Sequence, residues 1–203
     1  MAPRKYELGK RTEAIEETRR RIIDATFDLH REKGVVATSM QDVAERADVA
    51  LRTVYNHYAT IDDLVAGCTN RVISLLSPPT PDIFGGVDTF EERMRRLVEE
   101  LFAMYERGSA MIEVARCQQS EVAGLADYVA SEAAMREELV REALRPFKPH
   151  GRTVREATAL ADFYVWKAFT QQNLTTRQAV DVVHRSLVAL ANPDTIGKKG
   201  QER

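Results

Sequence analysis

The chain has 203 residues, of which 44% are hydrophobic and 30% charged, and its net charge is −2 at pH 7. That composition suits a folded chain with a substantial core, and no apolar run approaches the ~18 residues that a membrane helix requires. No apolar segment of the secretory kind follows the basic N-terminus, and the two cysteines, Cys68 and Cys117, form no CxxC pair. The expectation is therefore a cytoplasmic protein without a disulfide framework or structural zinc. Charge leans positive over the first 60 residues and negative over the rest, which marks the end that would face a polyanion.

Helical periodicity runs almost from end to end and no alternating strand pattern is convincing, so the expected fold class is all-α. The first helix is predicted over Glu13–Lys33, with Ile22, Ala25, Thr26 and Leu29 turned inward and Gly34 as its stop. Residues 1–12 would precede it as an arm. Ser39-Met40-Gln41-Asp42 reads as a capping box opening a second helix, whose apolar side is Val43, Ala44 and Ala47. After a tight break at Asp48-Val49, a short third helix runs from about Ala50 to Tyr58. A fourth starts at Thr60, capped by Thr60 with Asp63, and buries Leu64, Cys68, Val72 and Leu75. Ser77-Pro78-Pro79-Thr80-Pro81 and Gly85-Gly86 then end it.

A long amphipathic helix follows over Thr89–Arg107, with Phe90, Met94, Leu97, Leu101 and Met104 on one side and Gly108 closing it. Further helices are predicted over about Ala110–Val122, Leu125–Leu144, Thr153–Gln171 (with Thr153 and Glu156 as a capping pair) and Thr175–Leu190. The polar end, 193–203, reads as a disordered tail. The expected domains are 1–60, a helix-turn-helix DNA-binding domain, and 61–192, a helical body for ligand binding and dimerisation.

Two short helices joined by a tight turn and packed on a longer one read DNA when the second can lie in the major groove. Val43, Ala44, Val49 and Val54 are small enough for two helices to cross closely, and Asp48 tolerates a left-handed turn. The third helix offers Arg52, Thr53, Tyr55, Asn56 and His57, all able to bond phosphates or base edges. A short helical hairpin with a merely solvated face is the alternative, but such a face is ordinarily built from Glu and Lys.

The run Ile22-Ile23-Asp24-Ala25, Lys33-Gly34, Thr38 through Val49, Thr53 through Tyr58 and Asp63-Leu64 resembles the DNA-binding domain of the TetR family. The resemblance implies a homodimer of all-helical subunits, usually a repressor, that leaves double-stranded operator DNA when a small molecule enters the C-terminal domain. It further implies that Gln41, Arg52, Tyr55 and Asn56 read bases and that Leu51 touches thymine methyls. Ser39, Thr53, His57 and Tyr58 would then serve phosphate contact or packing, and Thr38 would also contact DNA. Asp48 stands where a turn glycine is usual, His30 for an aromatic, Ala59 for a proline and Ile61 for a phosphate-binding lysine. Arg4, Lys5, Lys10 and Arg11 would either reach into the minor groove or remain a solvated arm.

The body carries no motif of that strength. Phe102, Tyr105, Met111, Val114, Cys117, Tyr128, Met135, Phe163, Tyr164 and Trp166 supply large apolar surfaces; as a set they suit an apolar or aromatic effector, while each singly suits plain core. Val154, Ala157, Ala161, Val165 and Ala168 on one late helix, and Val180, Val183, Leu187 and Leu190 on the other, form stripes suited to a two-fold four-helix interface or to burial within one subunit. No catalytic residues, metal ligands or cofactor are expected: the four histidines lack metal-ligand spacing and there is no Gly-rich phosphate loop or GxSxG. Three functions stay open, namely a ligand-released repressor, an activator or effector-independent regulator, and a helical binding protein that no longer touches DNA.

Overall fold

The computed structural model describes the backbone of residues 4–190 and the side chains of residues 11–190. Among the described residues every regular element is helical. They are α1 (Arg4–Lys33), α2 (Met40–Ala47), α3 (Leu51–His57), α4 (Ile61–Leu76), α5 (Phe90–Gln118), α6 (Ala123–Leu144), α7 (Gly151–Leu160), α8 (Phe163–Gln171) and α9 (Thr176–Leu190). Short 3-10 turns occupy Pro81–Phe84 and Arg145–Phe147. The chain divides into two compact units: residues up to Leu75 with Ala110–Val129, and Leu76–Ser109 with the residues from Ala130 on.

In the first unit, the inward stripe of α1 meets α2, α3 and the start of α4. Ile22, Leu29, Val43, Ala44, Val54 and Leu64 are buried there in one apolar cluster. Gly34 ends α1 with φ +86°, a conformation that side chains beyond glycine rarely adopt. A Cβ at that position would lie 2.6 Å from Nε2 of Gln118, at the end of α5. Gln118 in turn accepts hydrogen bonds from the backbone N–H groups of Val35 (2.8 Å) and Val36 (3.3 Å). The turn after α1 is thus satisfied by a side chain 83 and 82 residues away in sequence from the two amides.

The second unit is built on aromatic rings. Tyr105 packs edge-on to Phe163 at 5.6 Å, with Phe102 at 6.0 Å and Trp166 at 6.4 Å. The Tyr105 hydroxyl lies 3.1 Å from both Glu132 Oε1 and the Ala161 carbonyl, and burial beside the Glu132 carboxylate raises its pKa. Arg136 pairs with Glu132 (2.7 Å) and Asp162 (3.1 Å), so neither carboxylate is buried without a counter-charge. Arg93, also buried, donates to the carbonyls of Val87, Ala143 and Glu142 and satisfies the C-terminal end of α6.

Several boundaries differ from the sequence expectation. The backbone of α1 is already helical at Arg4, so residues 4–12 continue the helix instead of preceding it as an arm. Gly108 does not close a helix; it is buried inside α5, where packing outweighs the ~1 kcal/mol helix penalty of glycine. The stretch Thr153–Gln171 is broken at Ala161-Asp162, because Asp162 is extended (φ −75°, ψ 151°) and caps α8 by accepting from the Tyr164 N–H at 2.8 Å. Thr153 lies buried within the first turn of α7, whose N-cap is His150, so it caps nothing. Leu75 is 44% exposed and its neighbour Leu76 is the buried one. The expected tail, 193–203, lies outside the described residues.

Candidate nucleic-acid interface

Helix α2 begins at Ser39, whose hydroxyl oxygen accepts from the Asp42 N–H (3.2 Å) while the Asp42 carboxylate accepts from the Ser39 N–H (2.8 Å). Lys33, at the end of α1, joins this box with its ammonium 2.8 Å from Asp42. The lysine first, and Ser39 second, hold the Asp42 carboxyl well below the usual carboxylate range. Thr38 is buried, with its hydroxyl spent on the Gly34 carbonyl (2.8 Å). As placed, Thr38 shapes the turn before α2 and offers no donor to DNA.

The turn between α2 and α3 is left-handed at Asp48 (φ 53°, ψ 54°), and the Val49 N–H closes it on the Ala44 carbonyl at 3.0 Å. Asp is among the residues that reach this conformation readily, which is why it can stand here in place of glycine. Arg21 of α1 donates to the carbonyls of both Ala47 and Asp48. A second arginine, Arg46 on α2, returns a two-pronged pair to Glu32 on α1 (2.9 and 2.7 Å). The third tie is Arg19, which donates to the Tyr58 hydroxyl at 3.1 Å and lies over its ring. These contacts fix the position of α3 against α1.

On α3, Val54 is fully buried and points into the core, and Leu51 packs partly against the same cluster. Helical spacing then turns Arg52, Tyr55 and Asn56 outward, and all three are exposed. Among the described residues, Arg52 and Asn56 make no side-chain hydrogen bond, so their donors are available to a partner. Thr53 and His57 are half-buried at the edges of that face. Gln41, exposed on α2, donates to Glu45 (2.8 Å) and must give up that bond to read a base. Tyr58 is buried in the core beneath Arg19, which makes it a packing residue. Ile61 leaves an apolar side chain 38% exposed at the start of α4. Arg11 is exposed; the side chains of Arg4, Lys5 and Lys10 lie outside the described residues.

Residues 22–68 match the profile of the family described as bacterial regulatory proteins, tetR family. Over that segment the chain is similar to the TetR family. Over 107 residues, 53% of its length, it is 32% identical to the HTH-type transcriptional repressor KstR of Mycolicibacterium smegmatis, and it spans about half (52%) of that repressor. Its fold is similar to that of a TetR-like transcriptional regulator from Rhodococcus sp. RHA1 (TM-score 0.61, 18% identical, covering 89% of this chain and 97% of that one). It is similar also to the multidrug binding protein EbrR complexed with imidazole (TM-score 0.58, 23% identical, covering 86% and 89%). The TetR match coincides with the part of the chain that builds the face of α3, from Ile22 to Cys68.

The residues read as ligand-binding divide between the two units. Met111, Val114 and Tyr128 line an apolar crevice in the first unit, together with His30 and Cys68. Phe102, Tyr105 and Trp166 are buried in the aromatic core of the second, Met135 is half-buried, and Tyr164 is 51% exposed. Cys117 is exposed and lines no cavity described here. Within the second unit, Val154, Ala157, Ala161, Val180, Val183 and Leu187 are all at most 5% exposed. Their stripes are consumed by packing of α7, α8 and α9 within the unit, which corrects their reading as an open interface. Val165, half-buried, keeps part of its surface, as do Ala168, Val182 and Ala189 on the outward sides of α8 and α9.

The ties that hold α3 escaped the sequence reading. Arg19, Arg20 and Arg21 look alike in sequence, a solvated basic run, and only packing distinguishes Arg19 and Arg21 from Arg20. Nothing in the sequence joins Gln118 to Val35. No helix among the described residues is long and apolar enough to cross a membrane.

Proposed function

We propose that this chain is a transcriptional repressor that binds a palindromic operator as a homodimer and releases it when a small apolar molecule binds. The observation that carries this reading is the outward face of α3, with Arg52, Tyr55 and Asn56 exposed over a buried Val54. An arginine bonds guanine O6 and N7, an asparagine bonds adenine N6 and N7, and a tyrosine hydroxyl serves phosphate or base. The similarity to KstR supports repression as the sign of the regulation, and the crevice of the first unit supports a small effector.

For the two-fold contact, the reading uses Ala168, Val182 and Ala189. They are small, apolar and outward on the last two helices, so a second copy of α8 and α9 can approach closely and isologously. Paired α3 helices would then stand about 34–36 Å apart, one turn of DNA. The deciding experiment is selection of bound sequences from random DNA, followed by anisotropy on the selected site. A two-fold symmetric sequence whose affinity falls steeply with salt is expected; failure to enrich any sequence overturns the assignment.

A further inference from the structure

His30 stands on α1 one turn before Gly34, with only 2% of its surface exposed, and its Nε2 has no hydrogen-bond partner. Burial lowers its pKa to about 4, so the ring is neutral near pH 7 and presents either a lone pair or an N–H at that nitrogen. A polar atom left unpaired in an apolar interior is costly, and such a group calls for a partner.

The surroundings say what kind of partner. His30 is one wall of the crevice in the first unit; Cys68, Val72, Met111, Val114 and Tyr128 are others. Cys68 is a neutral thiol, since burial pushes its pKa up to about 12, and no carboxylate, lysine or arginine lines the space. The space open to the centre of a water molecule measures about 20 Å³, room for a single water, while the crevice counted with its mouth and the solvent there is about 360 Å³. Met111 and Val114 are half-buried on α5, and an unbranched methionine swings aside at little cost. A ligand larger than water would need Met111 to swing aside in this way.

We propose that this crevice binds a compact neutral ligand, an apolar ring or short chain bearing one hydroxyl, with the hydroxyl bonded to Nε2 of His30. An ionised ligand would meet no counter-charge there, and a purely apolar one would leave the imidazole unpaired. That such a ligand also alters DNA affinity rests on the repressor reading above; the binding site itself does not.

The test uses the full chain with ¹⁵N-labelled histidine and two probes of equal shape, phenol and toluene. Phenol is expected to bind about tenfold tighter than toluene and to move the Nε2 resonance of one histidine, the one missing in His30→Phe. In that variant the preference should shrink to within about twofold. Equal affinity for the two probes in the unaltered chain overturns the site, as does a preference that survives His30→Phe or no saturable phenol binding below ~10 mM. A second variant, Val114→Phe, keeps His30 and narrows the crevice; it should weaken both probes alike by roughly tenfold, and unchanged binding overturns the crevice as the location. Operator affinity is measured in parallel. Phenol seated at His30 with DNA binding unchanged upholds the site and overturns only its regulatory consequence.

Discussion

Arg21 of α1 donates to the Asp48 carbonyl at 2.9 Å and to the Ala47 carbonyl beside it. The helix that precedes α2 and α3 thus holds the last free carbonyls of α2 and, through them, the left-handed turn that sets the direction of α3. On the repressor reading proposed above, sequence specificity then depends on side chains that never meet a base.

The first prediction follows. Arg21→Ala should cost about 1–2 kcal/mol in urea unfolding, the worth of charged hydrogen bonds at a partly exposed site. It should also weaken operator binding beyond what lost stability explains. Arg20→Ala is the control: Arg20 only pairs with Glu17 on the exposed side of α1, so a change within about 0.5 kcal/mol is expected. Equal losses in the two variants would remove Arg21 from the turn.

The second concerns base reading. Asn56→Ala should leave stability nearly unchanged, because the side chain is exposed, while costing about 1–3 kcal/mol of specific affinity and relaxing one base position in each half-site. Arg52→Ala should flatten the dependence of log affinity on log salt by about one phosphate contact per subunit if it binds backbone. If it reads guanine instead, the salt slope stays and one position relaxes.

The third is a pH dependence. His30 titrates at about 4 when folded, against 6.5 for a free histidine, so the unfolded chain takes up its proton first on acidification. Its contribution is full above pH 6.5, falls as pH drops towards 4 and is flat below that. The loss is on the order of 3 kcal/mol. His30→Phe should remove this slope between pH 6.5 and 4 in denaturant titrations. The depressed Asp42 carboxyl acts in a separate window: its stabilisation is present above its ordinary value of 3.8 and is lost only below it.

The fourth separates subunit core from subunit contact. Ala189→Arg and Ala168→Glu place a charge on the outward faces of α9 and α8, and each is expected to shift sedimentation from dimer to monomer while helicity is retained. Leu187→Arg should instead unfold the second unit, because Leu187 is 2% exposed within its own chain and the charge would have no partner there. A dimer that persists in both outward variants would move the contact away from α8 and α9.

Much of the first unit was legible because its signals are local. Ser39 with Asp42, Thr60 with Asp63 and Gly34 all act within a few residues, and each stands where capping and turn chemistry put it. The inward positions Ile22, Ala25, Thr26 and Leu29 followed from helical spacing alone. What stayed hidden was non-local: the bond from Gln118 to Val35 and the choice of Arg19 and Arg21 over Arg20. Breaks were misjudged where one residue pulls both ways. Gly108 reads as a stop yet is carried through α5 by burial, while Asp162 sits unremarked inside a helical period and caps a new helix. The apolar stripes of α7 and α9 have the same composition whether they face a symmetry mate or their own unit, so spacing could not choose between them.

The aromatic core of the second unit has an optical consequence. Trp166 is the single tryptophan in the chain; it is 4% exposed, donates its indole N–H to Thr176 at 3.1 Å, and lies 6.4 Å from the Tyr105 ring. Tryptophan fluorescence, excited to the red of tyrosine absorption, therefore reports on the second unit alone, blue-shifted while the ring is dry and red-shifted once the cluster opens. Far-ultraviolet circular dichroism sees the helices of both units. Where the two signals part during denaturation, the gap between them times the melting of the first unit against the second without any added label.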